Sequence, residues 1–367
     1  MNILVLPNAF KGSLSAAKAV LLFTRALEKK HRVCAIPVSD GGDGFLDFFK
    51  TLDPAAQTIS LTAKNAFLKN RRTEFLLLSD GQTAVIETAR VCGLGCAKKE
   101  ELDPLGASSY GVGQVLSAAV KAGAKTVYVG LGGVACNDGG AGMAAACGAV
   151  FSDKGGRVLG LGAEALLNAN HADFSALRKT FKGIKIFGVA DVTNPLLGPK
   201  SSAKVFGPQK GASPAQVKIL DKAMAAFART VKNATGRNIA RTPSTAAAGA
   251  IGAGLAGCFG AQLLLGSDFL FQKAGLEKYF QKADLIITTE GKLDRQTFYG
   301  KAPLAVLKLS KKYKKPVLFI CGQIEEKALR GQKYAPDQIA VLADFAANEK
   351  DAQTNAAKYL RRICKNI

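Results

Sequence analysis

Asn2-Ile3-Leu4-Val5-Leu6 is a β-rich apolar run, and the alternation of patterns that begins with it sets the fold class. Over residues 13–30, Leu14, Ala17, Leu21, Phe23 and Leu27 fall at helical spacing. Residues 33–38 return to a strand pattern, and 45–52 give a short helix. A strand-helix-strand-helix order calls for a parallel sheet, because parallel neighbours need a crossover long enough to hold a helix. The simple pattern returns near the end, with a strand at 285–288, a helix at 302–312, strands at 316–320 and 339–342, and a helix at 351–364. The centre is mixed. Short strands at 58–62, 72–78 and 83–86 precede helices at 113–122, 141–149, 214–233 and 245–265, with strands at 126–129 and 184–189 between them. Plain βα units flanking a mixed centre predict an α/β fold in two parts: a parallel-sheet domain, residues 1–62 plus 283–367, interrupted by a larger mixed α/β domain, residues 63–282.

The 367 residues are 48% apolar and 21% charged, ordinary globular values that exclude a disordered chain. A net charge of +22 admits nucleic acid, an anionic membrane surface or acidic substrates. Eight cysteines lie mostly in apolar or Gly/Ala stretches, and the nearest pair, Cys92 and Cys96, has neither disulfide-framework nor strong zinc spacing. Free thiols without a secretory segment predict a reducing, cytoplasmic setting. His31 and His171 are the only histidines and stand far apart, which argues against a His-based metal site or a Ser/His/Asp triad. Residues 242–267 carry no charge and are long enough to span a membrane, but Ala and Gly dominate them and insert weakly. They predict a buried small-residue helix and no membrane association.

Five constellations lie where strands end. Lys11-Gly12-Ser13 opens a helix, where unpaired N–H groups attract anions; a loop lysine with Ser13 as the cap is the competing reading. Asp40-Gly41-Gly42-Asp43-Gly44 follows the second strand, at the edge where open parallel sheets bind ligands, and its carboxylates suit a cation or a hydroxyl. The glycine-rich loop 130–142 includes Gly132, Gly133, Asn137 and Asp138 and predicts a phosphate or substrate nest. Asp191 ends a β-rich run before Asn194-Pro195; with no histidine at hand it reads as a general base, or as a turn cap. Lys210, in a turn shortly after, reads as a phosphate contact or as part of a solvated loop. Glu290 and Asp294 can bracket Mg²⁺, which takes few carboxylates plus phosphate oxygens, and Lys301 adds a phosphate contact at the next helix. Gly252-Ala253-Gly254-Leu255-Ala256-Gly257 matches a dinucleotide fingerprint but follows no strand, and a Walker motif is absent.

Taken in order, Phe10-Lys11-Gly12-Ser13-Leu14-Ser15-Ala16, Asp40-Gly41-Gly42, Asn137 to Met143, Asn194 to Pro199, Val205 to Gly211 and Glu290 to Asp294 form a set. The set resembles the bacterial glycerate kinase family of the type without a Walker motif, over residues 1 to about 324. The resemblance implies a Rossmann-like domain interrupted by a second α/β domain, with the site in the cleft between them. It implies phosphorylation of D-glycerate by ATP with Mg²⁺, the 2-phospho product favoured over the 3-phospho. Lys11, Asp191 and Asp294 would be catalytic, Asp191 accepting the hydroxyl proton. Ser13, Asp40, Gly132, Gly133, Asn137, Asp138, Asn194, Lys210 and Lys301 would bind substrate or phosphate, and Glu290 and Asp294 the metal. Some positions depart from the family's usual residues: Asn8-Ala9 stands for Asp-Ser, Asp43-Gly44-Phe45 for Glu-Gly-Thr, Val134-Ala135-Cys136 for Ser-Ala-Thr, and Thr289 for Gly.

Two other readings compete. One is a kinase of another small hydroxy acid. The other is a basic nucleic-acid-binding protein, but the basic residues are scattered, with short clusters at 69–72 and 310–315, and no aromatic interleaving of the kind that stacks bases. The partners predicted are small molecules, D-glycerate and ATP, with no nucleic acid; a homodimer is left open.

Overall fold

The computed structural model describes the chain except Lys11, Asp40, residues 299–301 and the side chains of Cys96 and Gln296. Among the described residues the strands are β1 (Asn2–Pro7), β2 (Arg32–Ala35), β3 (Gln57–Lys64), β4 (Asn70–Leu77), β5 (Thr83–Glu87), β6 (Thr126–Gly130), β7 (Val150–Ser152), β8 (His171–Asp173), β9 (Lys185–Ala190), β10 (Gln262–Leu265), β11 (Leu285–Leu293), β12 (Val317–Ile324) and β13 (Gln338–Val341). Helices that bear on the site are α1 (Ala16–Leu27), α2 (Phe45–Leu52), α3 (Thr88–Cys92), α4 (Tyr110–Lys121) and α5 (Ala141–Ala146). The chain divides into two compact units: Met1–Asp40, Asp47–Pro54 and Gly266–Ile367 form unit 1, and Gly41–Leu46 and Ala55–Leu265 form unit 2.

Unit 1 is built on a five-stranded sheet of order β13-β12-β11-β1-β2, every pair parallel. Ile3, Val5, Ile287, Leu318 and Ile320 share a core with Phe23 and Leu27 of α1 and Leu360 of the C-terminal helix Ala356–Cys364. Side chains alternate between faces along a strand, and the intervening Leu4, Leu6, Ile286 and Phe319 are buried too. Burial on both faces is the mark of a parallel sheet covered by helices, and it produces the continuous apolar runs seen in the sequence. Helix α1 starts later than the apolar spacing suggests. Its cap is Ser15, whose hydroxyl oxygen accepts the Lys18 N–H at 3.3 Å, while Phe10 and Leu14 exchange backbone hydrogen bonds in the turn before it.

Unit 2 carries a six-stranded sheet of order β10-β9-β6-β5-β4-β3. It is parallel from β10 to β5 and antiparallel through β4 and β3. Its core joins Val127 and Val129 of β6 to Val112, Val115 and Leu116 of α4, Met143 of α5, and Leu220 and Phe227 of the long helix Pro214–Thr235. The fold is thus mixed α/β, with a parallel-sheet unit interrupted by a larger one.

Unit limits differ from the sequence reading at both ends. Strand β3 pairs along its whole length with β4, from Gln57↔Leu77 to Lys64↔Asn70, and so belongs to unit 2 from its start, not from residue 63. Residues 266–282 fold as two helices, Gly266–Lys273 and Leu276–Lys282, that pack against the helix Ala302–Lys312 of unit 1. The stretch 245–265 is not one helix. Ala247–Gly254 runs into a π-helical turn, Leu255–Phe259, and then into β10. Its small residues are buried, and no helix among the described residues is long and apolar enough to cross a membrane.

Candidate functional site

The carboxyl ends of β6 and β9, at Gly130 and Ala190, form the ligand edge of the parallel part of unit 2. The acidic turn lies directly on that edge. A Cβ at Gly41, whose φ is +100°, would strike the Val189 carbonyl oxygen. One at Gly130 would lie 2.6 Å from Gly41 O, and one at Gly132 2.6 Å from Gly42 Cα. Two glycine turns therefore interlock backbone against backbone, and close approach accounts for glycine at these positions. Thr88, at the start of α3, pins the same loop: its hydroxyl donates to Gly130 O at 2.8 Å and accepts from Gly132 N at 3.3 Å.

Asn137 and Asp138 sit side by side in the glycine loop, 3% and 0% exposed. Asp138 accepts from Ser108 Oγ, Ser109 N, Ser109 Oγ and Gly142 N through Oδ2, at 2.7–3.2 Å, and from Gly140 N through Oδ1 at 3.2 Å. Read from the sequence as a substrate or phosphate contact, this carboxylate anchors the loop and the start of α5, mostly through Oδ2, while Oδ1 accepts from Gly140 N alone. Asn137 is the opposite: among the described residues neither its Oδ1 nor its Nδ2 has a hydrogen-bond partner. A buried carboxamide with no partner costs about 1–3 kcal/mol per group, and such groups mark sites where another molecule completes the bonding.

Lys210 is not in a solvated turn. It is 2% exposed, and its Nζ donates to Cys136 O at 2.6 Å, which fastens the glycine loop from behind. Burial lowers its pKa. Beside it, Cys136 is raised well above the usual thiol range, first by its hydrogen bond with Cys92 and then by burial. Ala248, Gly249 and Ala250 close the arrangement in the left-handed region, with φ of 52°, 61° and 64°. Each such alanine costs about 1–2 kcal/mol, so the surroundings enforce the turn. Gly249 is required there, since a Cβ would collide with Cys136 O; its own carbonyl accepts from Gly139 N at 3.2 Å.

Asp191 follows the last residue of β9 and is half-buried. Asn194 shapes the next loop: its Nδ2 donates to Lys200 O at 3.0 Å, and its carbonyl accepts from Ala246 N at 3.1 Å. Gly132, Gly133, Asn137, Asp138, Asp191 and Lys210 thus share one edge of unit 2.

Unit 1 has its own carboxyl edge. Thr289 Oγ1 donates to Asn8 O at 2.6 Å, so two positions that depart from the family pattern are bonded to each other. Glu290 is buried and accepts from Thr297 Oγ1 at 2.6 Å; that hydroxyl also receives Asp294 N at 3.2 Å, and Asp294 is half-buried. Ser13 is exposed and donates to Gln353 O, while the helix cap is Ser15. Lys11, Asp40 and Lys301 lie outside the described residues. Among the described residues, no three His, Cys, Asp or Glu side chains cluster as a metal site.

Thr88, Ser108, Ser109 and Glu87 belong to the edge of unit 2 without standing in any of the five constellations. Glu87 ends β5, is 4% exposed, and accepts from Leu46 N at 3.0 Å, which ties the residues after the acidic turn to the sheet. A carboxylate closing an apolar strand is its signal in the sequence, the same one that singles out Asp191.

Comparison with known proteins agrees with this layout. The family model described as Glycerate kinase family matches residues 3–367. A Glycerate 2-kinase of Escherichia coli K12 is 35% identical, with 100% of this chain and 97% of that protein covered. A Glycerate kinase of Bacillus subtilis 168 is 34% identical over the same shares. A crystal structure from Salmonella typhimurium LT2 that carries the name glycerate kinase 2 superposes with a TM-score of 0.82 at 31% identity, covering 100% of this chain and 96% of that one.

Proposed function

The chain belongs to the glycerate kinase family, and on that footing we propose that it transfers the terminal phosphoryl group of ATP to D-glycerate to give 2-phospho-D-glycerate. The carrying observation is the buried, unpartnered carboxamide of Asn137 inside a glycine loop at a sheet's ligand edge. Phosphoryl transfer asks little covalent chemistry of a protein; positioning and neutralisation of charge do most of the catalysis. Asn137 offers the N–H donors of its Nδ2 to phosphate or carboxylate oxygens and its Oδ1 as acceptor for a ligand hydroxyl. Asp138, Lys210 and Thr88 hold the loop that presents it. Asp191, at the end of β9, takes the proton from the attacking hydroxyl.

In unit 1, Glu290 and Asp294 offer hard carboxylate oxygens on either side of one turn, a donor set that suits Mg²⁺ completed by water and phosphate oxygens. When bound, the ion neutralises phosphate charge. The seven cysteines described are free, which supports a cytoplasmic setting. The net charge of +22 favours encounter with two anionic reactants, so the apparent second-order rate constant should fall as salt is added.

Purified protein with ATP, Mg²⁺ and D-glycerate tests the reading. The product should yield phosphoenolpyruvate with enolase alone. A product that needs a phosphoglycerate mutase first rejects the 2-position, and absence of ATP consumption rejects the reaction.

A further inference from the structure

Strands β4 and β5 pair at Leu76↔Val85 and Leu77↔Ala84, and their ladder goes no further. Beyond it, residues 71–74 of β4 and residues 87–90 at the carboxyl end of β5 flank a cleft of about 420 Å³. The cleft borders the glycine loop: Asp43 Oδ1 and the Ala89 side chain, both in its lining, lie 3.2 Å from where a Cβ on Gly133 would stand. It is therefore part of the same sheet edge as the site above, one strand over.

Three guanidinium groups line it, from Arg71, Arg72 and Arg90. Arg90 is committed to the protein. Its Nη1 contacts Glu74 at 2.8 Å and its Nε lies 3.7 Å from Glu87, whose other oxygen holds Leu46 N. Arg72 differs: it is exposed, and it has no ion pair among the described residues. It stands opposite Thr62 in the β3–β4 ladder, two residues before Glu74 on the same face. Of the three carboxylates in the lining, Glu74 and Glu87 are engaged with Arg90 and Asp43 is not free either, while Arg72 keeps its charge and its planar fork, which matches a carboxylate through two parallel hydrogen bonds.

We propose that this cleft is the carboxylate subsite for the acceptor, with Arg72 as the residue that recognises a 2-hydroxy acid by its carboxylate. The proposal rests on the glycerate reading, which leaves the acceptor's charged end unassigned. In a three-carbon hydroxy acid, carboxylate and 2-hydroxyl sit on adjacent carbons, so the subsite must adjoin the loop that receives phosphoryl oxygens, and this cleft does so at Gly133.

The test uses the full-length Arg72→Gln and Arg72→Lys variants, with glyceramide, the uncharged amide of the acid, as a control substrate. In Arg72→Gln the KM for D-glycerate should rise about tenfold to hundredfold, as expected for a lost charge-assisted pair. The KM for ATP should stay the same, the KM for glyceramide should not change, and Arg72→Lys should recover part of the loss. An unchanged KM for glycerate overturns the proposal. So does a rise in the KM for ATP in its place, which would make the cleft a nucleotide phosphate site. If the unmodified enzyme phosphorylates no glycerate, calorimetric titration with D-glycerate, lactate and glycolate separates the two ideas. Binding that is lost in Arg72→Gln keeps the subsite and rejects the function; binding that ignores Arg72, or none, rejects the subsite as well.

Discussion

At the carboxyl edge of unit 1, hydroxyl groups tie β11 to the end of β1 and to the turn that follows β11. Thr288 Oγ1 donates to Leu6 O at 2.9 Å, Thr289 Oγ1 to Asn8 O at 2.6 Å, and Thr297 Oγ1 to Glu290 at 2.6 Å. At the carboxyl edge of unit 2, glycine backbones interlock, Thr88 and Lys210 hold the loop at Gly130, Gly132 and Cys136, and one carboxylate, Asp138, gathers five hydrogen bonds at the start of α5. The first edge spreads its support over separate bonds, each of which adds a little. The second concentrates it, so that one substitution removes several contacts together. Concentration leaves the neighbouring Asn137 without a partner among the described residues, because the loop is held by other groups.

The strongest break in this contrast would come from Asp191→Asn, which keeps size and removes basicity. Turnover should fall by about two to four orders of magnitude, the range for loss of a general base. Thermal unfolding should change little and ATP should still bind. Near-normal turnover in a folded variant would move the base to Asp294 and thus to the edge of unit 1.

Asp138 and Asn137 test the division of labour within the loop. In Asp138→Ala, buried donors from Ser108, Ser109, Gly140 and Gly142 lose their acceptor, at about 1–3 kcal/mol for each one left unsatisfied, so stability should drop by about 3 kcal/mol or more. Denaturant titration reads this directly. Asn137→Ala should act in the reverse sense: unfolding free energy unchanged or slightly higher, since an unpaired buried amide is removed, but turnover lowered by about tenfold or more. If Asn137→Ala unfolds the protein while Asp138→Ala leaves it stable, the roles assigned to the two neighbours are reversed.

How far the sequence reveals these edges depends on the distance over which each support acts. Strands β1, β11 and β12 are legible because burial on both faces writes itself into consecutive residues. Strand β10 is hidden because Gln262–Leu265 continues an uncharged run without a break in composition, and β7 and β8 are three residues each, too short for alternation to show. The anchoring of Asp138 by Ser108 and Ser109, about thirty residues upstream, is something no local pattern reveals. Lys210 likewise finds Cys136 O across 74 positions. The cleft beside Arg72 exists only because β4 and β5 stop pairing, and Arg71-Arg72 in the sequence is merely part of a basic cluster. Glycine density is legible as a loop at a strand end; that Gly130 and Gly132 serve backbone contact with the acidic turn is not.

The smallest effect is expected at Thr289, and it sharpens the contrast from the side of unit 1. Thr289 is fully buried in the middle of β11, and its hydroxyl reaches the carbonyl of Asn8, the residue just past β1. Asn8 N also donates to Thr289 O at 3.3 Å, so the two residues are joined twice. Thr289→Val preserves the branched shape and removes only the hydroxyl. The backbone bond remains and the Asn8 carbonyl loses one donor, so the cost should be about 1 kcal/mol, the net worth of one hydrogen bond. Kinetic constants for ATP and glycerate should not move, because the hydroxyl is occupied within the sheet edge. A stability loss of that size with unchanged kinetics is what distributed support requires. Lowered turnover with unaltered stability would instead put the Thr289 hydroxyl on a ligand, and the two departures at Asn8 and Thr289 would then belong to substrate recognition rather than to the joining of two strands.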